Sequence, residues 1–192
     1  MIRPSLSVNF EKTGCPGILI TSAEVEFLLA EAKSKGWNVS GTTEEHYHNG
    51  IRASMKMMNK YFGATISDAE IEEYILNHPL SDNPRECINY EAWILHLTNP
   101  AEGWANLRRS DYPALADRTK LPIRGDFPHE DQNMQTPTRL KYPNIENEYN
   151  KVHFNEAIQR LGGSDDWHHR NWWDVNEQNF MDIEKIKNPK KL

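Results

Sequence analysis

One segment with the capping and charge pattern of a helix constrains the fold of this chain most. Residues 22–36, SAEVEFLLAEAKSKG, start with Ser22 as the expected N-cap, carry acids in the first turn and lysines in the last, and stop at a glycine. The apolar residues of this segment recur at helical spacing: Ala23, Val25, Phe27, Leu28, Ala30 and Ala32. The pattern predicts an amphipathic helix with a broad apolar surface.

A second helix is predicted directly after a short polar turn. Thr42 or Thr43 followed by Glu45 has the form of a capping start, and Gly63 ends the segment. Its apolar side has helical spacing and comprises Tyr47, Ile51, Met55, Met58 and Phe62, with the small Ser54 among them. Two helices joined by a short turn form an αα-hairpin, which must bury its apolar faces against each other and against a neighbour. The pair has tetratricopeptide-like character, with small residues of the first helix facing Tyr47.

Three further helices are predicted, over residues 67–77, 84–98 and 101–110. Ser67 or Asp68 caps the first of them, and Pro84 occupies a favoured first position in the second. The apolar side of the second is predicted to contain Ile88, Trp93, Ile94 and Leu97. In the third, Trp104 precedes Arg108 by four residues, which predicts a contact between the indole and the guanidinium on one helix face.

The chain changes character near residue 110, because five of its eleven prolines fall between residues 111 and 150. We expect an irregular region there, with Tyr112, Leu121, Phe127 and Tyr142 as apolar anchors. The sequence therefore predicts one mainly α domain, or a piece of one. Its parts are an extended segment at 1–21, helical hairpins at 22–110, irregular loops at 111–150, a last helix and Trp-rich closing segment at 151–182, and a tail at 183–192.

Composition excludes several classes of protein. The formal net charge is -6, whereas nucleic-acid-binding proteins usually carry a basic surface patch. No nucleic acid is therefore expected as a partner. The sequence contains no run of eighteen apolar residues, which would predict a membrane-spanning helix, and no apolar core of a signal peptide follows Met1. Cys15 and Cys87 lack the spacing of a zinc site and leave open whether they pair or are separate thiols.

The closing segment SDDWHHRNWWDVN, residues 164–176, contains three of the six tryptophans and raises the question of a ligand or metal site. His168 and His169 are adjacent and do not share the spacing with which two imidazoles bind one ion. Asp165 and Asp166 supply carboxylates that suit calcium as readily as zinc. The spacing therefore disfavours a metal site.

The remaining histidine pair gives no site, whereas the tryptophans and the seven tyrosines could provide flat faces for sugar rings or anchors for a partner. His46 and His48 are two residues apart and diverge on a helix, unlike the pair in a zinc-binding HExxH motif. We interpret Trp172 and Trp173 as an anchor that fastens the C-terminal segment, and expect Trp167 and the two adjacent histidines to be more exposed.

Catalytic motifs are absent from the sequence. No GxSxG element occurs, neither cysteine lies in a catalytic context, and the paired carboxylates are sequence neighbours. The sequence names no catalytic residue, no metal ligand and no cofactor, and the chain is not expected to be an enzyme. A metal- or carboxylate-dependent hydrolase, with His168 or His169 facing carboxylates in a cleft, is the catalytic alternative.

Several stretches in order resemble the SusD/RagB-like nutrient-binding outer-membrane lipoproteins. SAEVEFLLAEAKSKGW and YHNGIRASMKMM resemble the paired helices of that family. GWANLRRSDYPAL resembles its next element, through Trp104, Arg108, Arg109, Tyr112 and Pro113. TPTRLKYPNIENEYN resembles another, through Pro137, Arg139, Leu140, Tyr142, Pro143, Glu146 and Asn150. The closing matches are Gly162, Gly163, Asp165, Asp166, Trp172, Trp173 and Asp174. The chain departs from the family pattern at Leu107, Asp111 and Thr138.

This resemblance implies a partial SusD-like fold and a function in non-catalytic nutrient binding. Members of the family bind oligosaccharides or other small nutrients at the outer-membrane surface and deliver them to a SusC-like TonB-dependent transporter. They are held by an N-terminal lipid anchor, which we expect to be absent from this chain. Because members are much longer, we expect the chain to be a C-terminal part of such a protein. No ligand-binding residue is carried over, and a tetratricopeptide-like scaffold for protein partners is the alternative.

Overall fold

The computed structural model describes residues 14, 16–115, 137–171 and 174. Seven α-helices lie in these ranges: α1 (Ser22–Ser34), α2 (Thr43–Phe62), α3 (Asp68–Asn77), α4 (Pro84–Leu95), α5 (Pro100–Ser110), α6 (Asn144–Tyr149) and α7 (Lys151–Arg160). A 3-10 turn, His96–Thr98, joins α4 to α5. No β-strand occurs within the described ranges, and the predicted mainly α fold is confirmed.

The chain divides into two compact units, Met1–Ala114 and Leu115–Leu192. In the first unit, α1 packs chiefly on α2 and also contacts α4, while α3 lies against α2 and α5 against α4. In the second unit, α6 and α7 follow each other and are in contact. Across the described ranges, no helix combines the length and apolar character needed to cross a bilayer.

The predicted hairpin of α1 and α2 is present, and its closest approach depends on Gly50. A Cβ added at Gly50 would lie 2.4 Å from Cε1 of Phe27, closer than real Cβ atoms approach other atoms. The Phe27 ring therefore occupies the space that a side chain on α2 would otherwise fill. Tyr47 and Ile51, the neighbouring core residues on α2, are almost completely buried, and Tyr47 Oη donates to the carbonyl of His78 at 3.2 Å. Gly50 on the second helix thus permits this approach, together with the fully buried Ala23 and Ala30 of the first helix.

The N-caps predicted from the sequence are correct at α2 and α3 and wrong at α1. Thr42 with Glu45, and Ser67 with Glu70, form capping boxes in which side chain and backbone bond reciprocally. At α1 the prediction of Ser22 as N-cap is wrong, because the Thr21 hydroxyl accepts from the Glu24 amide at 3.1 Å.

The core of the first unit consists of the apolar residues Ala23, Phe27, Ala30, Tyr47, Ile51, Met57, Phe62, Ile71, Ile75, Ile88, Ala92 and Leu95. Of the apolar side predicted over residues 84–98, Ile88 is buried as expected, and the prediction is wrong at Ile94 and Leu97. Ala92 and Leu95 complete the buried stripe at i+4 and i+7, whereas Ile94 and Leu97 are exposed and Trp93 is half-buried. Successive helical residues diverge by about 100°, so a helix that packs on one side leaves its other apolar residues outside.

The same rule narrows the broad apolar surface predicted for α1. Val25 and Leu28 are exposed, and the buried face is Ala23, Phe27 and Ala30 with the carboxylate of Glu31. Three small or planar residues on this face let α1 lie close to α2. The buried apolar surface of α1 is therefore narrower than predicted, whereas the predicted row of apolar residues at helical spacing is confirmed.

The second unit has more helix than its proline content predicts. α6 lies within the region expected to be irregular, and α7 begins two residues after α6 ends. Pro143 precedes α6 as its N-cap residue, a position where its missing amide costs no helical hydrogen bond. The predicted anchors Leu121 and Phe127 lie outside the described residues. Tyr142 contacts Phe154 edge-on, with ring centroids 6.0 Å apart.

Candidate functional site

A cavity of about 650 Å³ lies in the first unit, between the segment that leads into α1 and one face of α2. Its volume falls within the roughly 300–1,000 Å³ typical of small-molecule sites. The segment contributes residues 16–18 and 20–22. The helix contributes Ala53, Lys56, Met57, Lys60 and Tyr61.

The spacing on α2 explains why these side chains meet at one cavity. Positions i, i+3, i+4, i+7 and i+8 share one helix face, and that is the spacing of the five α2 residues. Met57 is buried and continues the core toward the cavity. Tyr61 is 46% exposed, which leaves much of its ring accessible to a ligand.

Among the described lining residues of this cavity, the charged groups are two lysines of α2. Lys60 Nζ lies 4.9 Å from the centroid of the Tyr61 ring, a cation–π geometry. Lys56 Nζ lies 3.3 Å from Asp68 Oδ1, and both side chains are largely exposed. Exposed ion pairs of this kind contribute at most about 1 kcal/mol, so water or a ligand can replace Asp68. The arrangement offers an aromatic face and two cations to a bound molecule.

A buried polar cluster elsewhere in the first unit joins α1 to α4 and α5. Arg109 donates to both carboxylate oxygens of Glu31 at 2.7 Å, and Lys35 Nζ lies 2.8 Å from the same carboxylate. Arg109 also donates to Asn106 Oδ1 at 2.7 Å, and Asn106 donates to Asn89 at 3.1 Å. Burial acts to raise the pKa of Glu31, but the bonds and charges of Arg109 and Lys35 outweigh it and hold that pKa at about 2. This cluster stabilises helix packing and has its hydrogen bonds satisfied within the protein.

His96 is a second buried polar residue at the junction of these helices. Its Nε2 lies 3.7 Å from Glu24 Oε1, beyond hydrogen-bond distance, and its ring is almost fully buried. Burial lowers the pKa of His96, with the charge of Glu24 acting in the opposite direction. A Cβ at Gly103 would lie 3.2 Å from the Cβ of His96, so close packing of α5 confines this residue.

The structure separates His46 from His48 as predicted from their spacing. His46 Nδ1 lies 2.6 Å from Glu26 Oε2 and its Nε2 lies 2.8 Å from the carbonyl of Ser40, and these bonds raise its pKa. His48 lies 4.0 Å from Glu44 on its own helix. Within the described ranges, no group of three His, Cys, Asp or Glu residues is arranged to hold a metal ion.

The two aspartates of the closing segment have structural contacts in the second unit. Asp165 forms an ion pair with Arg139 and accepts from the Tyr142 amide at 3.0 Å. Asp166 accepts from the amides of His168 and His169 at 2.8 and 3.1 Å. The bond from the His168 amide is the main reason that the pKa of Asp166 falls to about 2.

The adjacent histidines of this segment share the carboxylate of Asp166, since His169 Nδ1 lies 2.8 Å from Asp166 Oδ2. This contact joins residues three positions apart within the closing segment. Trp167, His168 and His169 are half-buried. The carbonyl of Trp167 accepts from the Thr138 amide at 2.7 Å, which ties the closing segment to the segment that precedes α6.

The remaining residues singled out in the sequence are Trp104 with Arg108, the two cysteines and the closing tryptophans. Arg108 lies 6.0 Å over the Trp104 ring, which confirms the predicted indole–guanidinium contact. Cys87 is a free, half-buried thiol. Trp172, Trp173 and Cys15 lie outside the described residues, so the anchor hypothesis stays a prediction.

The cavity itself was not predicted from the sequence. The recurrence of Lys56, Lys60 and Tyr61 on one face of α2 was available as a signal, because the helix was predicted correctly. What closes the other side is an extended segment with no periodic pattern. Its approach to α2 is a tertiary contact that spacing cannot reveal.

Comparison with known proteins identifies relatives of this chain. A family model described as SusD-like, starch-binding associating with outer membrane, matches residues 3–143. No curated protein sequence matches the chain at a significant level.

Solved structures give further matches. A Bacteroidetes AC2a SusD-like protein is 41% identical, with a TM-score of 0.77 over 90% of this chain and 33% of its own. A chitin-binding protein is 39% identical, with a TM-score of 0.67 over 81% and 33%. A SusD homologue from Bacteroides fragilis is 29% identical, with a TM-score of 0.60 over 79% and 34%.

These matches agree with the motifs, which contact one another in pairs within each unit. Glu31 of the AEVEFLLAEA stretch binds Arg109 of the LRRSDYP stretch, and Arg139 of the TRLKYP stretch binds Asp165 of the closing stretch. The chain spans about one third of the length of the solved structures that it matches. It belongs to the SusD-like family.

Proposed function

We propose that this chain contributes to non-catalytic glycan binding at the outer-membrane surface. SusD-like proteins are binding proteins, and the matched family model describes starch binding and association with the outer membrane. One relative at 39% identity is a chitin-binding protein. The single observation that carries the proposal to this chain is the open cavity beside Tyr61, with a volume suited to a few sugar rings.

The chemistry of the cavity fits saccharide recognition. Sugars combine apolar C–H faces with hydroxyl groups, and proteins bind them with aromatic faces and hydrogen-bonding groups. The exposed ring of Tyr61 supplies such a face, and Ser22 and the two lysines supply polar groups around it. We infer that the ligand is then passed to a SusC-like TonB-dependent transporter, with a lipid anchor holding the protein at the cell surface.

The test is a titration of the 192-residue chain with neutral oligosaccharides of the maltose and chitin series, by isothermal calorimetry. We expect measurable binding to at least one series, and about tenfold weaker binding in Tyr61→Ala, because stacking on one aromatic ring contributes roughly that factor. Tyr149→Ala is the matched control, since Tyr149 is 83% exposed and lies in the second unit.

Loss of binding in Tyr61→Ala with full binding in Tyr149→Ala supports the proposal. Failure of every oligosaccharide to bind a folded chain contradicts it. Delivery is tested separately, by co-purification of the transporter with the tagged full-length protein from outer membranes. Absence of the transporter from that complex would reject the delivery step alone.

A further inference from the structure

We propose that the cavity between residues 16–22 and α2 selects saccharides that carry an anionic group, either a uronate carboxylate or a sulfate ester. This inference rests on the proposed glycan-binding function and names the ligand class of the same cavity. Its basis is the charge of the lining: among the described lining residues, the charged side chains are Lys56 and Lys60, and no carboxylate is present.

The positive character of this cavity contrasts with the chain as a whole. Acidic residues number 28 against 22 basic ones, so a patch with two lysines and no acid departs from the average of this chain. The position of Lys60 in the last turn of α2 suits the helix macrodipole. That preference does not account for a second lysine one turn earlier on the same cavity. Two cations one helical turn apart create a local positive potential that attracts an anion.

The existing partners of the two lysines leave them available to a ligand. Lys60 lies over the Tyr61 ring, and a cation in that position remains open to an anion on its other side. The Lys56–Asp68 pair is exposed, with side-chain exposures of 60% and 84%. An incoming carboxylate or sulfate competes with Asp68 in water, where the existing pair is weak.

The pairing of Lys60 with Tyr61 matches an acidic sugar residue in shape. A pyranose ring can place its C–H face on the phenol ring while its charged substituent reaches the ammonium group beside that ring. The opposite wall is extended backbone. Within the described part of the chain, the peptide groups of residues 17–20 make one hydrogen bond, from Asn99 Nδ2 to the Leu19 carbonyl at 3.5 Å. Peptide groups on this wall can therefore bind sugar hydroxyls.

The experiment measures binding of the 192-residue chain to three probes of similar size by calorimetry: trigalacturonate, a sulfated carrageenan oligosaccharide and neutral chitotriose. We expect one or both anionic probes to bind at least about tenfold more tightly than chitotriose at low salt, as expected for two exposed charge contacts. Raising the salt concentration should remove most of this preference, because screening shortens the range of exposed charges.

The decisive variant is Lys56→Gln/Lys60→Gln. We expect it to lose the preference for anionic probes, so that neither anionic probe binds this variant more tightly than chitotriose does. Lys56→Arg/Lys60→Arg retains the charges and should retain the preference. The matched control is Lys151→Gln/Arg160→Gln, which removes the same net charge at exposed positions of the second unit and should bind like the parent chain. Circular dichroism verifies that each variant folds.

The outcomes separate this inference from the proposed function. Binding of trigalacturonate alone or of the sulfated probe alone supports the inference and identifies the anion. Binding of chitotriose with no preference for either anionic probe overturns the inference and leaves glycan binding intact. An anionic preference that persists in Lys56→Gln/Lys60→Gln overturns the assignment to this cavity, and absence of all binding overturns both proposals.

Discussion

Each of the two units of this chain is stabilised internally by different interactions. The first unit has a continuous apolar core shared by α1 to α4, in which Tyr47, Ile51, Ile71 and Ile88 are at most 2% exposed. In the described part of the second unit, no apolar side chain is buried. Its contacts include the Arg139–Asp165 ion pair, hydrogen bonds from backbone amides to Asp166, cations over aromatic rings and the edge-on contact of Tyr142 with Phe154.

This difference predicts different responses to mutation. Apolar packing loses stability in proportion to the volume removed and is insensitive to pH and salt. Polar contacts respond to loss of a single partner, because the remaining group then lacks its hydrogen bond or counter-charge. Four substitutions test the contrast, and the largest expected effect is in the apolar core.

Phe27→Ala should reduce the free energy of unfolding of the first unit by about 3–5 kcal/mol, the usual range for removing a buried aromatic ring. Leu28→Ala is the matched control on the same helix, with an expected loss below about 1 kcal/mol because Leu28 is 49% exposed. Urea unfolding followed by circular dichroism measures both. Equal losses in the two variants would contradict the assignment of the buried face of α1.

Arg109→Ala should reduce the stability of the first unit by about 2–3 kcal/mol, because it leaves the buried carboxylate of Glu31 with Lys35 as its remaining cation. The figure is below that of a fully buried pair, since the Arg109 side chain is 41% exposed. Urea unfolding at pH 7 measures it, and Glu31→Gln/Arg109→Ala should recover part of the loss.

The pH dependence gives this cluster a second test. Glu31 has a pKa depressed from 4.5 to about 2, so it contributes stability above pH 4.5 that is lost as the pH falls toward 2. The parent chain should therefore lose stability across this window, and Glu31→Gln should lose less. Parallel pH profiles for the two chains would contradict the ion-pair assignment.

Arg139→Ala should destabilise the second unit alone, by about 1–2 kcal/mol, through loss of the Asp165 pair, the bond to the Asp166 carbonyl and the contact with the Tyr142 ring. Hydrogen exchange is the measurement, because it resolves the units separately. Faster exchange is expected in residues 137–171, with no change in α1 to α5. The control is Arg160→Ala, whose pair with Glu156 is exposed.

Glu91→Gln should have the smallest effect, a stabilisation below about 1 kcal/mol at pH 7. Burial raises the pKa of Glu91, and Tyr74 donates to its Oε1 at 2.9 Å, a bond that the Gln oxygen can also accept. A raised pKa in the folded state disfavours folding as the pH rises through it, so the advantage of Gln should grow over that interval. Glu73→Gln, at an exposed position, should show neither effect.

Much of the first unit follows from local sequence patterns. Thr42 with Glu45, and Ser67 with Glu70, specify two helix starts because the bonds of a capping box lie within four residues. The stop of α2 at Gly63 is equally local, since a left-handed residue there suits glycine. The buried faces of the helices were predicted less well than the helix ends, as the exposed Ile94 and Leu97 show. Which apolar side of a helix is buried depends on the partner helix that packs against it.

The candidate site could be predicted only in fragments. The lysines and tyrosine of α2 share a face at helical spacing, but the cavity needs an extended segment placed beside them. The roles of Glu31 and Arg109, 78 residues apart, likewise depend on α5 packing on α4, which itself contacts α1. Sequence spacing carries no information on such distances.

The sequence by itself determined the family, the helical class and most helix boundaries, because capping, charge order and periodicity act within a few residues along the chain. Only the tertiary structure decided which faces are buried, which motif residues bind each other and where a cavity is left open. These depend on packing between distant segments, where volume, burial and charge are matched in space. The Trp-rich closing stretch shows both: its residues resembled the closing element of a family, and its aspartates acquired a role through Arg139 and the neighbouring amides.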